Sequence, residues 1–91
     1  MKAELLLYTR KDCSLCEEMK DAISQAAVRF PMSVEEIDVD SSPGLREKYG
    51  NEVPVLFING RKAFRYRVTP KELERKLAKR SGSESARRLF R

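Results

Sequence analysis

The sequence predicts an α/β fold with a four-stranded mixed sheet and helices on both faces. Three observations lead to this prediction: a C-x-x-C motif between an apolar run and an amphipathic stretch, a second apolar run that ends in the pair Asn59-Gly60, and a capping box before the last helical segment. The resulting element order is βαβ–α–ββα. A βαβ unit has parallel strands joined by a right-handed crossover, whereas a hairpin is antiparallel, so both pairings are expected.

The first three elements form the βαβ half. Residues 4–8 predict a buried strand because they contain a run of three leucines followed by tyrosine. Residues 14–29 predict a helix, since apolar side chains repeat there at helical spacing and most charged ones fall on the other face. Pro31 ends this helix. Residues 34–39 contain apolar side chains with acidic ones between them and predict a second strand.

The next elements form a short helix and a hairpin. Ser42 followed by Pro43 starts the helix, and Gly50 stands at its end. Residues 53–58 predict a strand because nearly all are apolar. Asn59-Gly60 predicts a two-residue hairpin turn, since both positions tolerate positive φ. Residues 61–67 then return as an edge strand.

The last helix has a clear start. Thr69 and Glu72 form a capping box, and Val68 and Leu73 occupy the staple positions on either side of the cap. Leu73, Leu77 and Ala78 are expected to form the face that points to the core. The helical pattern is lost after Arg80, so residues 1–80 are expected to form one domain and residues 81–91 a basic, flexible tail.

The distribution of charge is uneven along the chain. Residues 1–60 carry 7 Lys and Arg against 11 Asp and Glu, whereas residues 61–91 carry 12 against 3. This excess of positive charge fits either an anionic partner or a solvated basic surface. Nucleic acid is not expected to be the partner, since only Phe64 and Tyr66 interleave with the basic residues and no RNA-binding motif is complete.

The apolar segments are too short for a membrane protein. No stretch approaches the 18 or so residues that a membrane-spanning helix needs. The first apolar run is also too short for a signal peptide. We therefore expect a cytoplasmic protein with no membrane partner, in a compartment where a C-x-x-C is more often catalytic than structural.

Cys13 and Cys16 are the only cysteines, and the chain has no histidine. A structural zinc site needs four ligands, so one chain cannot complete one, and no metal is expected. An inert pair of buried thiols remains an alternative, whereas a structural disulfide is disfavoured because so short a loop restricts the unfolded chain very little. A C-x-x-C in a βα context favours a redox dithiol, since unpaired N–H groups and the helix dipole favour a thiolate on the first cysteine.

Three segments taken together resemble the thioredoxin superfamily, and in particular its divergent glutaredoxin-like small proteins. The resemblance extends over residues 4–80 and rests on the segment from Tyr8 to the C-x-x-C, on Val53-Pro54, and on the hairpin at residues 57–60. It implies a thioredoxin-like, glutaredoxin-type fold. It also implies that the Val53–Pro54 bond is cis, which places the backbone of Val53 beside the active cysteine.

Two departures from the glutaredoxin pattern affect its ligand. Typical members have proline where this chain has Ser14. They also carry a Gly-Gly pair and an acidic residue before the last helix, which hold the amino-terminal end of glutathione. Residues 63–69 contain neither glycine nor acidic residue here, and bulky and basic side chains take their place. Standard glutathione binding is therefore in doubt.

The resemblance implies a thiol–disulfide oxidoreductase. Cys13 is expected to be the nucleophile, favoured as a thiolate by Arg10 and Lys11, and Cys16 the buried resolving thiol. The substrate-binding residues are expected to be Lys11, Val53, Pro54 and Arg67. The expected partners are a disulfide-bearing protein or small thiol as substrate, and glutathione or thioredoxin reductase as electron source. A monomer without a bound cofactor is expected.

Two other functions remain open. Some relatives without the proline between the cysteines bridge an iron–sulfur cluster between two chains, and Ser14 keeps this function open. The other alternative is a non-catalytic adaptor that holds an acidic partner with its basic C-terminal third.

Overall fold

A computed structural model describes the backbone of residues 2–89 and the side chains of residues 2–79. Its elements are β1 (Ala3–Thr9), α1 (Ser14–Ala27), β2 (Met32–Asp38), a 3-10 turn (Val39–Ser41), α2 (Pro43–Tyr49), β3 (Val55–Ile58), β4 (Arg61–Arg65) and α3 (Pro70–Leu89). The predicted order βαβ–α–ββα is therefore confirmed. Among the described residues, no helix combines the length and the apolar character needed to cross a bilayer.

The four strands form one mixed sheet in the order β2-β1-β3-β4. β1 pairs in parallel with β2 and antiparallel with β3, and β3 pairs antiparallel with β4. This confirms the predicted mixed sheet and the predicted edge position of β4. In the register, Tyr8 stands opposite Val55, and Val55 stands opposite Arg65.

The main core lies between one face of the sheet and the helices α1 and α3. Alternate residues of the two central strands point into it, as expected for side chains two positions apart in a strand. The helices contribute residues spaced three or four apart. Its buried residues are Leu5, Leu7, Met19, Ala22, Ile23, Ala26, Leu56, Ile58, Val68, Leu73 and Leu77. The predicted inward positions Leu73 and Leu77 are thus confirmed, whereas Ala78 is exposed and its predicted inward position is wrong.

The other face of the sheet is covered in part by α2. The ring of Tyr49 stacks on Tyr8 with 4.5 Å between centroids, and both rings meet the edge of Phe57. Tyr8 therefore belongs to a packed aromatic cluster. Helices lie on both faces, as predicted.

Local signals in the sequence correspond to real turns and caps. Asn59 and Gly60 have φ of 50° and 84° and connect Ile58 directly to Arg61. At the start of α3, the backbone N–H of Glu72 donates to the Thr69 hydroxyl at 3.1 Å, and the N–H of Thr69 donates to the Glu72 carboxylate at 3.0 Å. The hairpin turn and the capping box are confirmed.

The bounds of several elements differ from the predicted ones. β4 ends at Arg65, two residues early, because Tyr66 adopts a φ of 68° that a strand cannot contain. β2 begins and ends earlier than predicted, at Met32 and Asp38. The predicted end of α3 at Arg80 is wrong, since the helix continues to Leu89. The segment contains no proline, and most of its last residues form helices readily, which outweighs Gly82.

Candidate active site

The two cysteines stand at the beginning of α1. Cys13 is the N-cap residue and Cys16 lies in the first turn. They are joined by a disulfide, with 5.2 Å between their Cα atoms. Cys13 is half-buried, whereas Cys16 has an exposed fraction of 0%. Only the first sulfur therefore has access to a second molecule.

The helix start surrounds Cys13 with positive potential. The backbone N–H of Cys16 donates to the Cys13 Sγ at 3.1 Å, so this sulfur occupies the place of a capping oxygen. Cys13 also accepts, through its carbonyl, the first helical bond from the N–H of Glu17. Unpaired N–H groups and the helix dipole favour negative charge at this point, which suits a thiolate that leaves or attacks.

The loop between β1 and Cys13 is held by Arg10. Its guanidinium donates to both carboxylate oxygens of Asp40 at 3.0 Å and to the Gly50 carbonyl at 3.1 Å. Arg46 also reaches Asp40, at 3.3 Å. Hydrogen bonding to Arg10 lowers the pKa of Asp40, and the same bond raises the pKa of Arg10. The charge of Arg10 is thus paired, and this geometry does not support its predicted role of favouring the thiolate.

Lys11 and Asp12 form the exposed turn before Cys13. Asp12 has a φ of 55°, in the left-handed region that Asp tolerates better than most residues. Lys11 is exposed and forms no ion pair with any of the described side chains. Its predicted contact with a ligand stays a prediction.

The Val53–Pro54 peptide bond is cis, as predicted. Pro54 is buried and Val53 half-buried. Because Tyr8 stands opposite Val55, Pro54 enters β3 at the end of the sheet where β1 closes with Thr9 and the loop to Cys13 begins. The two cysteines and the Val-Pro segment are therefore placed at the same end of the sheet.

The segment before the cis bond is tied to the hairpin. The Glu52 carboxylate accepts a hydrogen bond from the Lys62 ammonium at 2.8 Å and lies 3.7 Å from the Arg65 guanidinium. The hydrogen bond from Lys62 lowers the pKa of Glu52. These contacts connect residues that are 10 and 13 positions apart and tie the residue before Val53 to β4.

The chain leaves the sheet after Arg65, and Tyr66 and Arg67 follow beside Pro54. The backbone N–H of Tyr66 donates to the Pro54 carbonyl at 2.8 Å. The Arg65 guanidinium lies 5.3 Å from the centroid of the Tyr66 ring. Arg67 is exposed and makes no ion pair within the described part of the chain. The predicted binding residue Arg67 thus lies close in sequence to a residue that touches Pro54.

A network of hydrogen bonds and ion pairs connects the end of β1 and strand β2 to the first turns of α1. The buried hydroxyl of Thr9 donates to the Glu36 carboxylate at 3.2 Å. Lys20 lies 3.0 Å from Glu36 and 3.0 Å from Glu17. These hydrogen bonds, with Glu17 first, raise the pKa of Lys20. Sequence reasoning missed this network and the Arg10 contacts, since their partners are distant in the chain.

No metal site is evident in the part of the chain that the structure describes, where no three His, Cys, Asp or Glu side chains are grouped to hold an ion. Cys13 and Cys16 are bonded to each other.

The fold and the position of the cysteines define a thioredoxin-like protein with a dithiol at a helix start. Residues 4–78 match the family model described as glutaredoxin-like domain (DUF836), and the chain belongs to this family. The glutaredoxin-like domain and the Cys13–Cys16 pair together support a redox role in general terms.

Three known proteins illustrate the similarity. A protein of Dictyostelium discoideum described as glutaredoxin-like is 35% identical over 72 residues, which cover 72% of this chain and 67% of that protein. The crystal structure of a structural genomics target from X. campestris is 31% identical with a TM-score of 0.69, over 80% of this chain and 93% of that one. Reduced desulfothioredoxin from Desulfovibrio vulgaris Hildenborough, at 24% identity and a TM-score of 0.63, shares the fold over 85% of this chain and 79% of its own.

Proposed function

We propose that this protein is a thiol–disulfide oxidoreductase that reduces disulfides with the Cys13–Cys16 dithiol. The observation that supports it most is the unequal exposure of the two sulfurs: Cys13 is half-buried at the helix N-cap, and Cys16 is fully buried one turn further. A nucleophile must reach its substrate, whereas a resolving thiol needs only to reach the nucleophile.

The cycle transfers two electrons and two protons to the substrate. The Cys13 thiolate attacks one sulfur of the substrate disulfide, and the other substrate sulfur leaves as a thiolate that takes up a proton. Cys16, as a thiolate, then attacks the Sγ of Cys13 in the mixed disulfide. The second substrate thiol leaves, and the protein retains the Cys13–Cys16 disulfide. An external thiol, from glutathione or supplied through thioredoxin reductase, restores the dithiol.

The surroundings of Cys13 suit binding of an extended substrate. Val53, before the buried Pro54, offers its backbone at the same end of the sheet as the cysteines. Lys11 and Arg67 are exposed cations near this end and are proposed to contact anionic groups of the substrate. The protein is proposed to act in the cytoplasm as a monomer, without a bound cofactor.

Equilibration in glutathione redox buffers tests the proposal. The thiols are trapped by alkylation and counted by mass spectrometry at each buffer potential. We expect one two-electron transition between dithiol and Cys13–Cys16 disulfide, at about −270 to −200 mV, the range of thioredoxins and glutaredoxins. Cysteines that stay reduced throughout, or that trap only as a stable glutathione adduct, would contradict the dithiol cycle. Cluster binding between two chains and an adaptor role would then be the functions to test.

A further inference from the structure

We propose that Arg65, Tyr66 and Arg67, which we call the Tyr66 lip, form a subsite for the polypeptide that flanks the substrate disulfide, and that this subsite selects acidic segments. The inference rests on the proposed oxidoreductase function and names its substrate class. The expected substrate is an extended, acidic protein segment that contains the disulfide.

The register of the sheet places the Tyr66 lip beside the dithiol end. Val55 pairs with Tyr8 on one side and with Arg65 on the other. Thr9, Pro54 and Tyr66 are the neighbours of these three residues toward the dithiol end, and the last two are joined by the N–H···O=C bond of 2.8 Å. The loop that leads to Cys13 starts from Thr9. A substrate chain that lies against Pro54 also meets Tyr66.

The backbone at Tyr66 is unfavourable for an aromatic residue. Its φ of 68° lies in the left-handed region, where glycine or asparagine avoids the steric cost that a bulky side chain incurs. Two backbone bonds hold this geometry: Tyr66 N–H to Pro54, and Arg67 N–H to the Arg65 carbonyl at 2.8 Å. Tyr66 is nevertheless 42% exposed, so burial does not account for the choice of residue. Such strain is found preferentially at functional sites.

The charges around Cys13 are arranged unequally on its two sides. On the β4 side, Lys62 forms an ion pair with Glu52 at 2.8 Å. Arg65 lies farther from Glu52, at 3.7 Å, and stands over the Tyr66 ring. Arg67 is exposed. On the α1 side, Asp12 and Glu18 are exposed carboxylates. The exposed cation Lys11 accompanies these carboxylates, whereas Arg65 and Arg67 give the Tyr66 lip an excess of positive charge, so an acidic segment is attracted mainly to the lip.

The test uses peptides whose single cysteine forms a disulfide with mercaptoethanol and is flanked by two Glu, two Gln or two Lys. The single-turnover rate of mixed-disulfide formation is measured by stopped flow. We expect the Glu peptide to react faster than the Lys peptide by about threefold to tenfold, the size of one or two exposed ion pairs. Added salt should reduce this ratio.

Three variants examine whether the Tyr66 lip produces the ratio. Arg67→Gln removes a cation and should lower the ratio of the Glu-peptide rate to the Lys-peptide rate. Tyr66→Asn should also lower this ratio, while it keeps a residue that tolerates left-handed φ. Tyr66→Phe, which keeps the ring, should preserve it. The charge control is Arg29→Gln: Arg29 is 73% exposed in its side chain, lies 3.5 Å from Glu74, and follows the far end of α1, about 24 Å from Cys13 at the rise of an α-helix. Because all proteins meet the same peptides, differences in peptide reactivity cancel.

The outcomes separate this inference from the proposed function. If the wild-type protein fails to reduce the simple disulfide hydroxyethyl disulfide, the oxidoreductase function itself is wrong. If it reduces that compound but shows equal rates for the Glu and Lys peptides, the subsite is wrong and the function stands. An unchanged ratio in both Arg67→Gln and Tyr66→Asn also overturns the subsite. Thermal melting of Tyr66→Asn should give a Tm no lower than that of the wild type, because the substitution relieves the backbone.

Discussion

The cysteines differ in their exposure to solvent, and this difference predicts their reactivity in the reduced protein. Cys13 is half-buried at the N-cap, and Cys16 is fully buried. We expect iodoacetamide to modify Cys13 first and Cys16 only after unfolding, which peptide mapping by mass spectrometry would show. Equal modification of both thiols in the folded protein would contradict the assignment of Cys13 as the attacking thiol.

The Arg10–Asp40 pair makes stability depend on pH. Because Arg10 lowers the pKa of Asp40 in the folded protein, the contribution of this carboxylate is complete above the unfolded pKa of about 4 and is lost as the pH falls through the lower folded value. Asp40→Asn should therefore destabilise the protein at pH 7 and much less near pH 2. Urea unfolding at both pH values measures this.

An exposed carboxylate on α2 provides the control for that experiment. Glu47 lies on α2 and forms no ion pair among the described side chains. Glu47→Gln should change stability little at either pH. If Asp40→Asn lowers the free energy of unfolding equally at both pH values, the cause is a change in packing rather than the titration of the carboxylate.

The two glycines of the α2 region predict opposite effects of an added methyl group. Gly50 has a φ of −54°, so it does not supply the left-handed conformation that often ends a helix. A Cβ at this position would collide with the Arg46 carbonyl and approach the Arg10 Nη2 to 3.1 Å. Gly50→Ala should therefore cost about 1–3 kcal/mol and disturb the loop that leads to Cys13.

Gly44→Ala is the matched control, because its Cβ would meet only the Ser42 Oγ, at 3.7 Å. Alanine in this helical position should raise the free energy of unfolding by about 0.4–1 kcal/mol. Urea denaturation measures the free energy of unfolding of both glycine variants and of the wild type. A Gly50→Ala protein as stable as Gly44→Ala would show that the close approach is readily relieved.

The start of α3 depends on its capping box. Thr69→Ala removes the acceptor for the Glu72 N–H and should lower the free energy of unfolding by about 1 kcal/mol, whereas Thr69→Ser keeps the hydroxyl. Urea unfolding compares them. Thr69 is exposed, so loss of core packing does not add to the effect. Equal stability of Thr69→Ala and wild type would mean that solvent replaces the cap.

At the scale of the whole molecule, the sequence predicted what is local and missed what is distant. The C-x-x-C at a helix start, the turn at Asn59-Gly60 and the capping box each lie within four residues, and all three are confirmed. The Arg10–Asp40 bond joins residues 30 positions apart, and Thr9–Glu36 joins residues 27 apart. No periodicity encodes such pairs. The φ of Tyr66 was missed because composition favours a strand there.

Truncation tests how much of the chain the fold requires. Leu77 is the last residue of the main core among the side chains that the structure describes, although α3 continues to Leu89. If Leu77 closes the core, deletion of residues 81–91 should change the free energy of unfolding by no more than about 0.5 kcal/mol, the range of changes outside a core. Deletion from residue 76 onward removes Leu77 and should cost about 2–5 kcal/mol, the scale of a lost buried leucine.

The same truncation also separates enzyme from adaptor. The dithiol and the Tyr66 lip both precede residue 81, so the shortened protein should reduce hydroxyethyl disulfide at the wild-type rate. An adaptor that holds an acidic partner through its basic C-terminal third would lose part of that charge, since three of the twelve basic residues in positions 61–91 lie beyond residue 80. A stable truncated protein without reductase activity would mean that the last eleven residues contribute to the site, and the proposed boundary at residue 80 would be wrong.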